Sequence, residues 1–264
     1  MAAPIRHIHN YFELQDLIEQ SGRDADLVKR DFALVTVVAG LADRFGESLC
    51  FKGGFVLRHV YKHQRFSKDL DATRINPPKN KLDSSEVAAA IRASSVHNLL
   101  TLNPHEPQTD SGRSLDFDNV TYRGQVGDQG QISVELSYRE DVIEPPDIVA
   151  VGPPYYEPFE IPAMRLDEIV AEKLRALAQR QRPTDLADEA MVLMSEDVDD
   201  ERARLLVEHK FRLVRATDNR SRIEQNIAEM ASSYDAAVQA VAPDAPGYKA
   251  AADAVLSRLS ALLP

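Results

Sequence analysis

The stretch FKGGFVLRHVYKHQRFSKDLDAT, residues 51–73, decides how this chain is read. It opens at the end of a short apolar run, SLCFK (48–52), which reads as a buried strand that Gly53-Gly54 break. FVLRHVYK then resumes as a short helix. KDLDAT (68–73) reads as a second strand, with Leu70 on one face and Asp69 and Asp71 on the other. The order strand, glycine pair, helix, basic segment, Asp-x-Asp strand is more specific than any of its parts. Two glycines at a strand-to-helix turn let a triphosphate approach the backbone, and the following helix N-terminus favours an anion. Two carboxylates on one strand face suit Mg²⁺, which takes one or two carboxylates together with phosphate oxygens and water. Asp69 and Asp71 are thus the candidate metal ligands and catalytic acids. Lys52, Gly53, Gly54, Arg65 and Ser67 are the candidate nucleotide-binding residues, with Ser67 at the mouth of the site.

Working outward, residues 11–45 follow a helical period up to Gly46, and 84–102 read as a helix opened by Ser84 or Ser85, with Glu86 in its first turn. Residues 115–139 read as a hairpin in which FDNVTYRGQV and QISVELSYR flank Gly127-Asp128-Gln129-Gly130. In its second strand Ile132, Val134 and Leu136 alternate with Glu135, which therefore points off the apolar face. A third carboxylate on a neighbouring strand would complete a two-metal site, and Glu135 is the candidate. Six prolines between 144 and 162 read as a connector. Beyond it only helices are expected, at 165–181, 185–195, 198–216, 220–240 and 247–263. The division is an N-terminal part of 1–150 holding strands and helices, and a helical part of 151–264.

A second signal is MRLDEIVAEKLRALAQRQRPTDLADEAMVL, residues 164–193. Leu166, Ile169, Val170, Leu174 and Leu177 mark a buried helical stripe, and Lys173 falls on it. A lysine there either snorkels or is a positioned phosphate binder. Asp185, in a turn that opens the next helix, is either an N-cap or a carboxylate that orients the lysine or activates an attacking hydroxyl.

With FKGGFVLR, RFSKDLDA and EIVAEKLRALAQRQRPTDLADEAMVL in this order, the chain resembles the AbiEii/AbiGii-type nucleotidyltransferase toxins of AbiE and MenAT-like toxin–antitoxin systems. The resemblance implies an α+β fold: a nucleotidyltransferase-type mixed sheet flanked by helices, then a C-terminal helical domain. It implies Mg²⁺-dependent transfer of a nucleotide from a nucleoside triphosphate, growth inhibition and a cognate antitoxin. Some members of the family add nucleotides to tRNA ends. Carried over, Asp69 and Asp71 are metal ligands, Gly53 and Gly54 the nucleotide loop, and Lys173 and Asp185 the later catalytic pair. Two positions depart from the family pattern. Gly53-Gly54 stands for the usual Gly-Ser, and Thr184-Asp185 for the usual Arg-Asp, with Arg182 displaced.

Composition sets the outer bounds. A chain of 264 residues, 44% hydrophobic and 28% charged, reads as globular. A single cysteine, Cys50, rules out an intrachain disulfide, and there is no zinc-spaced His/Cys cluster and no GxxxxGK[ST] loop. No apolar run is long enough to span a membrane and no signal-peptide stretch begins the chain, so a cytoplasmic protein is expected. The net charge of −11 argues against a non-specific nucleic-acid binder, yet residues 52–68 carry five bases and no acid, and 201–222 carry seven bases and three acids. If those stretches meet on one face, tRNA is the favoured acceptor. If not, transfer to a protein side chain gains. A non-catalytic interaction protein that keeps the fold is the third reading, and the retained carboxylates speak against it.

Overall fold

Two helices begin the described chain, α1 (Tyr11–Ser21) and α2 (Ala25–Phe45), parted by Gly22 at φ 61°. The computed structural model describes residues 10–75, 81–97, 99–125, 127–139, 141–195, 198–212 and 219–263. The expected stop at Asn76-Pro77-Pro78 lies outside them, as do residues 213–216 of the helix expected over 198–216. The chain forms two units. The first runs through Lys62 and adds Phe66–Val142 and Pro146–Ala163; the second holds His63–Arg65, Ile143–Pro145 and the chain from Met164.

In the first unit, α2 is followed by β1 (Leu49–Lys52), α3 (Gly53–His59), β2 (Asp69–Arg74) and α4 (Ser84–Ala93). The remaining strands are β3 (Leu100–Pro104), β4 (Thr109–Asp110), β5 (Ser114–Gly124), β6 (Gln129–Ser137), β7 (Asp147–Val151) and β8 (Phe159–Ala163). They form one mixed sheet in the order β3-β5-β6-β2-β1-β8-β7, with β4 on β5. The β2–β6 and β1–β8 pairs are parallel and the others antiparallel. The buried alternate positions Leu70 and Ala72 of β2 and Val134 and Leu136 of β6 form the sheet's apolar side, and α2 packs on β2, β6 and β8. This leaves Asp69, Asp71 and Glu135 on the opposite side, as their alternation requires.

Two expectations are corrected here. The helix expected over 84–102 stops at Ala93. Ser94 donates its hydroxyl to the Ile91 carbonyl, Ser95 accepts the Leu102 amide, and the chain turns into β3. Its cap is Asp83, which accepts the Ser85 and Glu86 amides. The proline-rich 144–162 is not a connector, since it holds β7 and β8. Ile148, Val149 and Val151 are β-branched, β7 is an edge strand, and most of the prolines fall at strand ends. Pro162 lies inside β8, opposite Ile148. Phe51 pairs with Ala163, so the first unit runs past the expected 150/151 boundary.

The second unit is helical: α5 (Leu166–Gln179), α6 (Pro183–Ser195), α7 (Asp200–Arg212), α8 (Asn219–Glu229), α9 (Tyr234–Gln239) and α10 (Tyr248–Leu262). The span expected as one helix at 220–240 is thus two. α5 packs on α6, α7 and α8, and α10 on α6 and α7. Lys210, 0% exposed, reaches Glu168 at 2.7 Å and Glu172 at 3.0 Å. Glu168 in turn accepts the amides of Ile143 and Glu144, and Arg202 binds the Glu144 carboxylate. These bonds tie residues 143–145 into the helical unit.

Candidate active site

β1 is buried along its whole length and ends at Lys52, after which Gly53 turns the chain into α3 at φ 68°. That conformation is costly for any residue with a side chain, and space forbids one as well. A Cβ on Gly53 would lie 2.5 Å from Asp71 Oδ2. The glycine backbone is therefore pressed against the carboxylate that the sequence assigns to metal. Strand register supplies the rest. Lys52 pairs with Asp71, Asp71 with Glu135, and Glu135 with Asp116, a row across β1, β2, β6 and β5. Register partners share a sheet face, so one cation and three carboxylates lie side by side. Asp69, two residues before Asp71 on β2, shares that face. Asp69, Asp71 and Asp116 are half-buried and Glu135 is exposed.

Asp116 is absent from the sequence reading, although its alternation with buried Leu115 and Phe117 marks its face. Its Oδ2 accepts from Ser114, while its Oδ1 is buried with no hydrogen-bond partner among the described residues. Ser67 is buried and its hydroxyl donates to the Asp69 carbonyl at 2.8 Å, fixing the entry to β2. No group of three or more His, Cys, Asp or Glu among the described residues converges tightly enough to enclose a metal. The carboxylates that could hold Mg²⁺ are Asp69 and Asp71, two apart on one face of β2.

Behind α3 lies a buried brace that sequence reasoning missed. Asp31 of α2 takes Arg58 Nε at 2.9 Å, His59 Nε2 at 3.0 Å and the Tyr155 hydroxyl at 3.0 Å. Burial alone would raise the Asp31 carboxyl, but His59 and Arg58 outweigh it and hold it below the usual range. Tyr155 is driven well above its ordinary value by burial and by Asp31. Asp31 follows Lys29-Arg30, so its neighbours in sequence gave no sign of a buried role.

In the second unit, Lys173 projects from α5 toward α6. Its ammonium donates to Asp185 Oδ1 at 2.8 Å and to Asp188 Oδ2 at 2.7 Å. Burial pulls the lysine down, but Asp188 and Asp185 prevail and hold it above its ordinary value. Asp185 lies inside the first turn of α6, which opens at Pro183, so it orients the lysine instead of capping the helix. Arg180 takes its other oxygen at 2.8 Å, and burial's upward push on Asp185 is overridden by Lys173 and Arg180, leaving it well below the carboxylate range. Arg180 thus holds the Asp185 oxygen that Lys173 does not. Arg65 is buried and forms a 2.8 Å ion pair with Asp188. Asp188, three residues after Asp185 and hence on the same helix face, was not singled out from sequence.

The basic stretches are largely committed internally. Arg58 goes to Asp31 and Arg65 to Asp188, while Lys62 donates to the His59 carbonyl. In 201–222, Arg202, Lys210, Arg212 and Arg220 each meet an acid.

A mixed sheet with a glycine turn against an Asp-x-Asp strand, and a following helical unit with a lysine–carboxylate pair, defines a nucleotidyltransferase. Residues 38–258 match the family described as nucleotidyl transferase AbiEii toxin, type IV TA system, and the chain belongs to that family. It is thus the toxin enzyme of a type IV toxin–antitoxin system, with a nucleoside triphosphate as substrate and an antitoxin as counterpart. Among solved structures it is similar to MenT4, nucleotidyltransferase toxin Rv2826c from Mycobacterium tuberculosis H37Rv, at 19% identity over 94% of this chain and 89% of that one, TM-score 0.71. It is also similar to JHP933 from Helicobacter pylori, at 16% identity over 90% of this chain and 92% of that one, TM-score 0.60. At such identities the likeness is one of fold. No curated protein matches the chain. No helix among the described residues is long and apolar enough to cross a membrane.

Proposed function

We propose that the chain transfers a nucleotidyl group from a nucleoside triphosphate to the 3′ end of tRNA in the cytoplasm, blocking translation. The observation that supports the site assignment is the Gly53 backbone set against the Asp71 carboxylate, where a Cβ would lie 2.5 Å from Oδ2. Asp69 and Asp71, with Glu135 beside them in register, would hold Mg²⁺, which would supply charge neutralisation and a lower pKa for the acceptor hydroxyl. Lys52, Gly53 and Gly54 border the triphosphate. Asp69 and Asp71 would act on the α-phosphate only through the cation they hold, since bare carboxylates repel it. The acceptor hydroxyl loses its proton to solvent, its oxygen forms the new P–O bond to the α-phosphorus, and the bond to pyrophosphate breaks, pyrophosphate leaving with the bridging oxygen. Lys173, held by Asp185, is the cation that the family resemblance assigns to the charge developing on the departing oxygens.

A second reading, transfer to a protein side chain, is favoured by the net charge of −11 and by the internal commitment of so many cations. One experiment separates the two. The protein is incubated with each α-labelled triphosphate, Mg²⁺ and a cell extract, and label is sought in RNA and in protein. Label in tRNA, lost on RNase treatment and absent with Asp71→Asn, supports the first. Label only in protein supports the second. No label in either refutes transfer as the activity.

A further inference from the structure

More cations and acids meet around Lys173 in the helical unit than an ion pair needs. Lys173 of α5 faces Asp185 and Asp188 of α6, and Arg180 takes the far oxygen of Asp185. Arg65 takes the far oxygen of Asp188, and Glu189, the next residue of α6, is 0% exposed with neither oxygen hydrogen-bonded among the described residues. Arg258 of α10 faces Glu189 electrostatically, and Glu172, beside Lys173 on α5, is taken by Lys210 of α7. Two carboxylates around one ammonium would leave a net negative centre, the wrong sign for receiving a phosphate. Arg65 and Arg180 reverse that sign. Burial pushes the Glu189 carboxyl well above its usual range, which works against a further anion here. The set Lys173, Arg180, Arg65, Asp185 and Asp188 then carries a net positive charge, with the ammonium gripped from two sides.

We propose that Asp188 is a positioning residue for Lys173, its carboxylate shared between the Lys173 ammonium and the Arg65 guanidinium, so that Arg65 sets how strongly Lys173 is held. Asp188 is the member suited to this. It is 0% exposed, its Oδ2 lies 2.7 Å from Lys173 Nζ, and its Oδ1 lies 2.8 Å from Arg65 Nε. Asp185, by contrast, shares its charge with Arg180, which is half-exposed to water and therefore screened. This inference rests on the reading of Lys173 as the residue that meets the triphosphate.

Two variants of the full chain must move Lys173 in opposite directions, which loosened packing does not do. The readout is modification of Lys173 by acetic anhydride as a function of pH, scored by peptide mass, with transfer kinetics measured in parallel. Asp188→Asn removes an opposite charge at contact distance, so the reactive uncharged fraction of Lys173 at a given pH rises at least about tenfold. Asp188→Glu restores the wild-type profile. Arg65→Gln leaves Asp188 wholly to Lys173, so modification slows. In transfer, Asp188→Asn lowers kcat and moves the alkaline limb of the pH profile to lower pH. Should Asp188→Asn fail to fold, the slowing by Arg65→Gln still decides. Unchanged modification, or a change of the same sign in both variants, overturns the proposal. If instead Lys173→Ala keeps wild-type transfer rates while the modification results stand, the reading of Lys173 fails and the positioning by Asp188 survives.

Discussion

Replacing Gly53 by alanine tests the glycine turn most directly, and Gly22 provides its control. Both glycines have left-handed backbone, at φ 68° and φ 61°. Alanine in that region costs about 1–2 kcal/mol. A Cβ at Gly22 meets nothing within 4 Å, whereas one at Gly53 lies 2.5 Å from Asp71 Oδ2. The contacted atom is the end of a short side chain, so Asp71 yields, and the stability costs of the two variants should be similar. Reaching ordinary contact at 3.4 Å displaces the carboxylate by about 0.9 Å. A misplacement of about 1 Å at a reacting centre costs on the order of 10²-fold in rate. Urea unfolding should therefore show both variants down by about 1–2 kcal/mol, while nucleotide transfer falls about 10²-fold for Gly53→Ala alone. If Gly53→Ala transfers nucleotide at the rate of Gly22→Ala, the glycine does not seat Asp71 against the phosphates and the site is wrongly drawn.

Asp69→Asn and Asp71→Asn should each abolish transfer and the rise in Tm that Mg²⁺ plus nucleotide gives the wild type. A retained ligand-induced shift in both variants would remove the metal assignment. Lys210→Met leaves Glu168 buried without its ammonium and should cost about 3–5 kcal/mol in urea unfolding; a loss below about 1 kcal/mol would show the helices do not depend on that pin. Glu189 has its folded-state carboxyl raised far above the unfolded value of 4.5, so it binds a proton more tightly when folded. Its contribution is intact below pH 4.5 and erodes as pH rises toward its folded value. Glu189→Gln should thus gain stability over wild type progressively above pH 4.5 and not below it, and parallel stability–pH curves would contradict this.

The parts legible in sequence were those fixed by local chemistry. Gly53-Gly54 after SLCFK announced a strand-to-helix turn, and Asp-x-Asp in KDLDAT announced a shared face, because both depend on neighbours within a few positions. Glu135 was placed by alternation alone, and the register with Asp71 bears out the face it was given. What stayed hidden depended on distant partners. DIVAV and FEIPA form strands because β1 offers an edge about a hundred residues upstream, and proline density masked that. Arg58 and Arg65 looked like a basic surface, since nothing near them in sequence shows Asp31 or Asp188. The same holds for Asp116, whose significance comes from lying across from Glu135.

The parallel seat of β8 beside β1 also has a consequence for how the protein is made. β1 leaves the ribosome by Lys52, yet the neighbour on its second side ends only at Ala163. Until then LCFK has an open edge of the kind that recruits stray strands. A product halted near residue 150 is an unfinished sheet with an adhesive flank and not a smaller enzyme. The Lys173–Asp185–Asp188 set follows later still in the chain, so a product halted there lacks that set as well.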